Sequence, residues 1–161
     1  MTLAILNRQR TKKINTRLLK EIVQEVFAEL QIETVELGIS LVGAREMTLL
    51  NETFLRHEGS TDIITFDYQE PGTGSRKSEL NLHGELFICV DEAILQAKRF
   101  RSTWQSEIVR YVVHGVLHLL GHDDLKPALR RRMKREENRL VRRLSKKISF
   151  AQLSRTAKIG A

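Results

Sequence analysis

The most informative segment of the chain is Tyr111–Asp124, which reads YVVHGVLHLLGHDD. His114 and His118 are four residues apart, so on a helix both imidazoles project from the same face and can bind one cation. The run around them is apolar, and an imidazole buried there without a partner would be costly. The segment therefore predicts a central helix with a metal site near its end.

The third ligand is expected just beyond this helix. Gly121 follows His118 by three residues and permits the left-handed conformation that ends a helix. The chain can then turn back and present Asp124. His122 is the alternative, but on a continuous helix it would lie roughly 12 Å along the axis from His114. We therefore predict that Asp124, ahead of His122, completes the site.

The chemistry of this ligand set favours some classes of metal site over others. Two histidines and a carboxylate with an open fourth position are typical of catalytic metal sites, with Zn²⁺ the first choice. Iron(II) binds to the same kind of set. Gly115 stands where the HExxH zinc peptidases have the glutamate that serves as their general base. Its absence argues against proteolysis.

Outward from this segment, apolar residues recur with either strand-like or helix-like spacing. The predicted strands are Thr2–Leu6, Val35–Val42, Ile63–Tyr68 and Gly84–Val90. The predicted helices are one that is capped by Asn15 or Thr16 and extends to Leu30, Ala44–Arg56, Asp91–Arg101, one that starts at Ser102 or Thr103 and is ended by Gly121, and Leu125 to about Lys147. Residues 69–78 are predicted to be a loop. The pattern predicts a single compact α+β domain with a mixed sheet of about four strands and helices mainly on one face.

Composition agrees with one soluble domain. A chain of 161 residues with 41% hydrophobic side chains can bury one core. Its single cysteine, Cys89, excludes an intramolecular disulfide and is expected to be buried. No apolar run approaches the roughly 20 residues that span a bilayer, and the N-terminus lacks the pattern of a secretory leader. We expect an intracellular protein with no membrane partner.

The charge is concentrated at the C-terminal end. Residues 1–125 carry 14 Lys+Arg and 18 Asp+Glu, a net of −4, whereas residues 126–161 carry 13 and 2, a net of +11. This excess favours a polyanionic partner, nucleic acid before membrane. The alternative is a helix whose arginines only keep it solvated. We assign residues 1–147 to the folded domain and predict a flexible basic tail at 148–161.

Three motifs together resemble those of the YbeY family, the metal-dependent endoribonucleases of bacterial ribosomal RNA maturation. HGVLHLLGHDD resembles the family's His-Gly-x-Leu-His-Leu-x-Gly-Tyr-Asp-His motif. Leu50-Asn51, Phe54 and residues 61–66 (TDIITF) resemble its second signature, and residues 84–88 (GELFI) resemble its Gly-Asp-Ile-x-Ile strand. The likeness extends over residues 37–144 in matching order.

The resemblance implies one Zn²⁺, a cytoplasmic location and cleavage of single-stranded RNA. It further implies ribosomal RNA and the small ribosomal subunit as partners, with roles at the 3′ end of small-subunit RNA and in ribosome quality control. The family's first two ligands carry over onto His114 and His118.

The chain departs from the family pattern at three positions. Asp124 stands in place of the third histidine. A carboxylate ligand lowers the charge of the site, so bound water should be a weaker acid and harder metals more competitive. An arginine important for RNA aligns with Leu55, with Arg56 one residue later. Glu85 replaces the strand's aspartate, a milder change.

The resulting hypothesis is hydrolysis of an RNA phosphodiester at a metal held by His114, His118 and Asp124. Arg56 is a further catalytic candidate. The sequence leaves the nucleophile open between water and the RNA 2′-hydroxyl, and it leaves the oligomeric state open. Three more groups that could line the entry are His57, Arg76 and Lys77. The competing hypotheses are a non-catalytic, metal-containing ribosome assembly factor and a metal-dependent hydrolase of non-RNA substrates.

Overall fold

The computed structural model describes residues 1–69 and 81–154. Its strands are β1 (Thr2–Asn7), β2 (Thr34–Val42), β3 (Ile63–Asp67) and β4 (Asn81–Cys89). Its α-helices are α1 (Thr16–Glu29), α2 (Ala44–Leu50), α3 (Val90–Phe100), α4 (Trp104–Leu119) and α5 (Pro127–Lys147). These elements form one α+β domain with a four-stranded mixed sheet, as the sequence predicts.

The sheet has the strand order β1-β2-β4-β3. Strand β2 pairs in parallel with both β1 and β4, and β3 pairs antiparallel with β4 at the edge. Leu37 in β2 stands opposite Leu3 on one side and Gly84 on the other. Because side chains alternate between the two faces of a strand, each face has its own apolar cluster.

The larger cluster lies on the face covered by α1 and α4 and includes Ile39 and Ile88. The smaller cluster lies on the opposite face, where Met47 of α2 packs with Ile64 and the buried Cys89. Helix α4 is buried on most of its circumference, since Val109, Val112, Val113 and Val116 are all inaccessible to solvent. It is therefore the central helix that the sequence predicts.

The helix predicted over Ala44–Arg56 is divided in the structure. The α-helix ends at Leu50, and a single π-helical turn follows over Asn51–Leu55. Arg56 then takes a left-handed conformation with φ of 55°, which ends the helix. A π-turn inserts one residue beyond the α-helical repeat and is frequent near functional sites. The buried Asn51 stabilises this turn, because its Nδ2 donates a hydrogen bond to the carbonyl of Gly59 at 3.0 Å.

The segment after α5 also differs from the prediction. A flexible tail was expected from residue 148, but Phe150–Ser154 form a 3₁₀-helix and Leu153 is fully buried. The backbone N–H of Asn15 donates to the carbonyl of Leu153 at 2.8 Å. Ile148 and Phe150 pack against the same core, and this apolar spacing draws the segment onto the domain. Residues 155–161 lie outside the described residues, as do Arg76, Lys77 and most of the predicted loop.

Within residues 1–69 and 81–154, none of the helices is both long enough and apolar enough to cross a bilayer.

Candidate metal centre

Helix α4 carries the first two ligands. Thr103 caps its start, accepting a hydrogen bond from the Ser106 N–H at 3.2 Å. Gly115, beside His114, lets the helix lie close to the sheet, because a Cβ there would come within 2.8 Å of terminal carbons of Ile63 and Leu86. His114 and His118 are half-buried along one face of this helix.

A left-handed turn brings the third ligand back to the helix. Gly121 has φ of +98°, its N–H donates to the carbonyl of His118 at 3.0 Å, and the His122 N–H donates to the carbonyl of Leu117 at 3.0 Å. This pattern of paired hydrogen bonds closes a helix around a glycine. The chain reverses direction there, and Asp124 turns toward His118.

The three predicted ligand side chains converge. Ligand atoms of His114, His118 and Asp124 all lie within 4.8 Å of one another. Nε2 of His118 is 3.6 Å from Oδ2 of Asp124, and the two imidazole rings have their centroids 4.7 Å apart. The alternative ligand His122 is not part of this group. The arrangement can hold one divalent metal ion.

The surroundings of His118 favour the neutral form of its imidazole. Burial lowers the pKa of His118, the neighbouring His114 lowers it further, and Asp124 opposes the shift. A lowered pKa favours the neutral imidazole, which is the form that binds a metal. The neutral donor nitrogen and the Asp124 carboxylate therefore fit a divalent cation.

Glu137 of α5 fixes the orientation of His114. Its side chain is buried, and Oε1 lies 2.8 Å from Nδ1 of His114. Burial raises the pKa of Glu137, but hydrogen bonds from His114, Lys134 and Arg110 outweigh it and lower the pKa to about 2. An ionised carboxylate can only accept, so Nδ1 must carry the proton and Nε2 of His114 is left free. A carboxylate on the second nitrogen is the usual support of a metal-binding histidine.

The sequence contained a signal for Glu137 that our prediction missed. Met133, Leu140 and Leu144 form an apolar stripe along the basic helix α5, and Glu137 lies on that stripe. A carboxylate at an apolar position of a basic helix predicts a buried partner. Its distance in sequence from His114 hides which partner that is.

An open cavity of about 580 Å³ is lined in part by His114. It lies between α3, α4 and α5. The lining residues are Asp62, Ile63, Gln96, Phe100, Ser102, Glu107, Arg110, Tyr111, His114, Lys134, Glu137 and Asn138. The Tyr111 hydroxyl is buried without a hydrogen-bond partner among the described residues. Burial raises the pKa of Tyr111, so the phenol remains protonated.

The residues predicted to contact RNA lie apart from the three candidate ligands. Arg56 and His57 are exposed at the end of the π-turn. In the part of the chain that the structure describes, no ion pair or side-chain hydrogen bond joins Arg56 to the three ligand residues, and Arg56 does not line the cavity. The structure therefore brings together His114, His118 and Asp124 but not Arg56.

The basic side chains of helix α5 fall into two groups, those that form ion pairs and those that are exposed without one among the described residues. Arg143 and Lys147 pair with Glu29 of α1, each at 2.8 Å, and so tether α5 to α1. Several other arginines are exposed on the face of α5 opposite its buried stripe. We call Arg131, Arg132, Arg135 and Arg142 the α5 arginine group; among the described residues none of them forms an ion pair.

Comparisons with known proteins agree with this architecture. A solution structure of a Thermotoga maritima protein matches the fold with a TM-score of 0.67, covering 99% of each chain at 22% identity. "Endoribonuclease YbeY" of Chlorobium phaeovibrioides is 36% identical over 134 residues, which is 83% of this chain and 85% of the relative. "Endoribonuclease YbeY" of Chlorobium luteolum is 34% identical over 144 residues, covering 89% of this chain and 98% of the relative.

A family model described as Endoribonuclease YbeY matches residues 4–145. The matched segment contains both ligand histidines, Asp124 and Glu137. Because the match extends over most of the chain, the resemblance noted in three motifs holds for the domain as a whole. The chain belongs to the YbeY family.

Proposed function

We propose that the protein is a zinc-dependent endoribonuclease that cleaves single-stranded RNA during maturation of the small-subunit ribosomal RNA. The observation that supports this most directly is the convergence of His114, His118 and Asp124 within 4.8 Å in a chain of this family. The relatives are named endoribonucleases, and none of the named relatives is an assembly factor or a hydrolase of other substrates. The nuclease is therefore favoured over both competing hypotheses.

The donor set fits Zn²⁺, with two imidazole nitrogens and one carboxylate oxygen. When bound, a zinc ion would supply a Lewis acid for a phosphoryl oxygen and lower the pKa of a coordinated water. The Glu137 carboxylate bonds Nδ1 of His114, and Nε2 is the nitrogen proposed to bind the metal. Asp124 adds a negative charge that a third histidine would not, which broadens the choice of metal.

The RNA partner is proposed to contact the α5 arginine group through its phosphates. These guanidinium groups are exposed and form no ion pair with any residue that the structure describes. They are suited to bidentate contacts with phosphate oxygens. Arg56 is proposed as a further phosphate contact near the π-turn, reached only by RNA that extends beyond the cavity. A cytoplasmic location is part of this proposal, because the proposed substrate is ribosomal RNA.

The central experiment compares His114→Ala with His122→Ala in the full chain. His122 is a matched control, because it is an imidazole of the same segment outside the ligand group. We expect His114→Ala to lose both bound zinc, measured by elemental analysis, and cleavage of single-stranded RNA, while its RNA affinity persists. His122→Ala should keep all three.

Other outcomes would distinguish the competing hypotheses. Cleavage retained by His114→Ala would contradict the nuclease site, and zinc binding without any cleavage by the wild type would favour an assembly factor. Asp124→Ala should lower zinc content; equal zinc in this variant would refute the third ligand.

Arg56→Ala, compared with Arg45→Ala on α2, should weaken RNA binding or cleavage if Arg56 contacts the substrate.

A further inference from the structure

We propose that the cavity between α3, α4 and α5 binds the nucleobase next to the scissile phosphate. This inference rests on the proposed function and names where one base of that substrate lies. A volume of about 580 Å³ falls within the roughly 300–1,000 Å³ of small-molecule sites. His114 is both a metal-site residue and part of the cavity wall, so a nucleotide whose phosphate reaches the metal has the cavity beside it.

The charges of the cavity suit an uncharged ligand group rather than a second phosphate. Three carboxylates, Asp62, Glu107 and Glu137, line it together with two cations, Arg110 and Lys134. Both cations are already bonded to Glu137, at 2.8 and 2.9 Å. Among the described residues, the wall holds no cation without a carboxylate partner. A phosphate would therefore find no charge partner there, whereas a neutral heterocycle would not need one.

An aromatic side chain at the rim offers a stacking surface. Phe100, the last residue of α3, lines the cavity although 66% of its surface is exposed. Phenylalanine rings are common platforms for unstacked bases of single-stranded RNA.

One polar side chain of the wall, the amide of Asn138, is available to the edge of the base. Asn138 accepts from Arg110 through Oδ1 at 2.7 Å, which fixes the amide and leaves its NH₂ group to donate.

The test uses zinc-loaded full-length protein and three small probes: adenosine 5′-monophosphate, adenosine 3′-monophosphate and ribose 5-phosphate. All three carry a phosphate, and only the first two carry a base. We expect at least one nucleotide to bind about tenfold more tightly than the sugar phosphate, a ratio that one stacked base can supply. Equal affinity of all three probes would overturn the inference.

Phe100→Ala should abolish this base-dependent difference, and Leu95→Ala should retain it. Leu95 is the matched control, since it lies on the same helix with 55% exposure and does not line the cavity. A base preference that survives Phe100→Ala would place the base elsewhere and overturn the inference.

The proposed function is checked separately by cleavage of RNA with the same preparations. Cleavage together with equal probe affinities would overturn the base site alone. A base preference that depends on Phe100, without cleavage, would support the base site and contradict the nuclease.

Discussion

Gly84 of β4 lies directly beneath Leu119, the residue that follows His118 in α4. A Cβ on residue 84 would come within 3.0 Å of Cδ2 of Leu119 and would also collide with the backbone carbonyl oxygen of Phe66. The bare backbone at this position therefore lets the ligand-bearing end of α4 approach the sheet.

Gly84→Ala should lower the free energy of unfolding by about 2 kcal/mol or more, because the added methyl group meets backbone that cannot move aside. Gly38→Ala is the control: its Cβ would lie 3.5 Å from Cγ of Glu85, an ordinary contact. Urea unfolding of both variants measures the difference. Similar stability of the two would show that β3 and α4 can shift without cost.

Glu137→Gln should weaken zinc binding by about 10- to 100-fold, because it removes the ionised acceptor that fixes the Nδ1 proton of His114. Glu136→Gln is the matched control, since its partner is Arg139 and it does not contact the ligands. Competition with a chromogenic chelator gives both affinities, and circular dichroism confirms that both variants fold. Equal zinc affinity would mean that His114 is oriented without Glu137.

The triple variant R131Q/R135Q/R142Q should bind single-stranded RNA with a shallower salt dependence. Each lost phosphate contact lowers the slope of log Kd against log salt concentration by about one. R143Q removes a guanidinium that is already paired with Glu29 at 2.8 Å, so its slope should match the wild type while its stability falls. An unchanged slope in the triple variant would leave the α5 arginine group without a role in RNA binding.

The contact between α5 and α1 should weaken in acid. Hydrogen bonds from Lys147 and Arg143 lower the pKa of Glu29 below its usual value of 4.5. A carboxyl group whose pKa is lower in the folded state stabilises the protein above its unfolded pKa, and this contribution is lost as the pH falls through the folded value. The wild type should therefore lose more stability than Glu29→Gln below about pH 4.5, as thermal unfolding at several pH values would show. Glu21→Gln, an exposed change on α1, should follow the wild type.

The three candidate ligands could be proposed from sequence because all of them lie within residues 114–124. Helical spacing, a left-handed glycine and a loop carboxylate are local features, and the structure places His114, His118 and Asp124 together. The four strands and the mixed sheet were also predictable, because the spacing of apolar residues within each strand is a local feature of the sequence. The π-turn after Leu50 was not, since no residue type distinguishes it from a continuing α-helix.

Features that depend on distant partners could not be predicted. Glu137 was overlooked because its partner His114 lies on another helix. Leu153 was assigned to a tail because the groove that receives it, near Asn15, exists only once the domain has folded. The cavity beside His114 is likewise formed by three helices, so only the folded chain shows that Phe100 and Tyr111 share it.

The turn at Gly121 affects the order in which parts of the chain can fold. Closing a short loop costs little chain entropy, and local contacts form quickly. Two predicted ligands lie on one helix and the third lies just past a single left-handed residue, so the three can come together almost independently of strand pairing. A divalent cation held by them would therefore stabilise that end of α4 before the sheet forms.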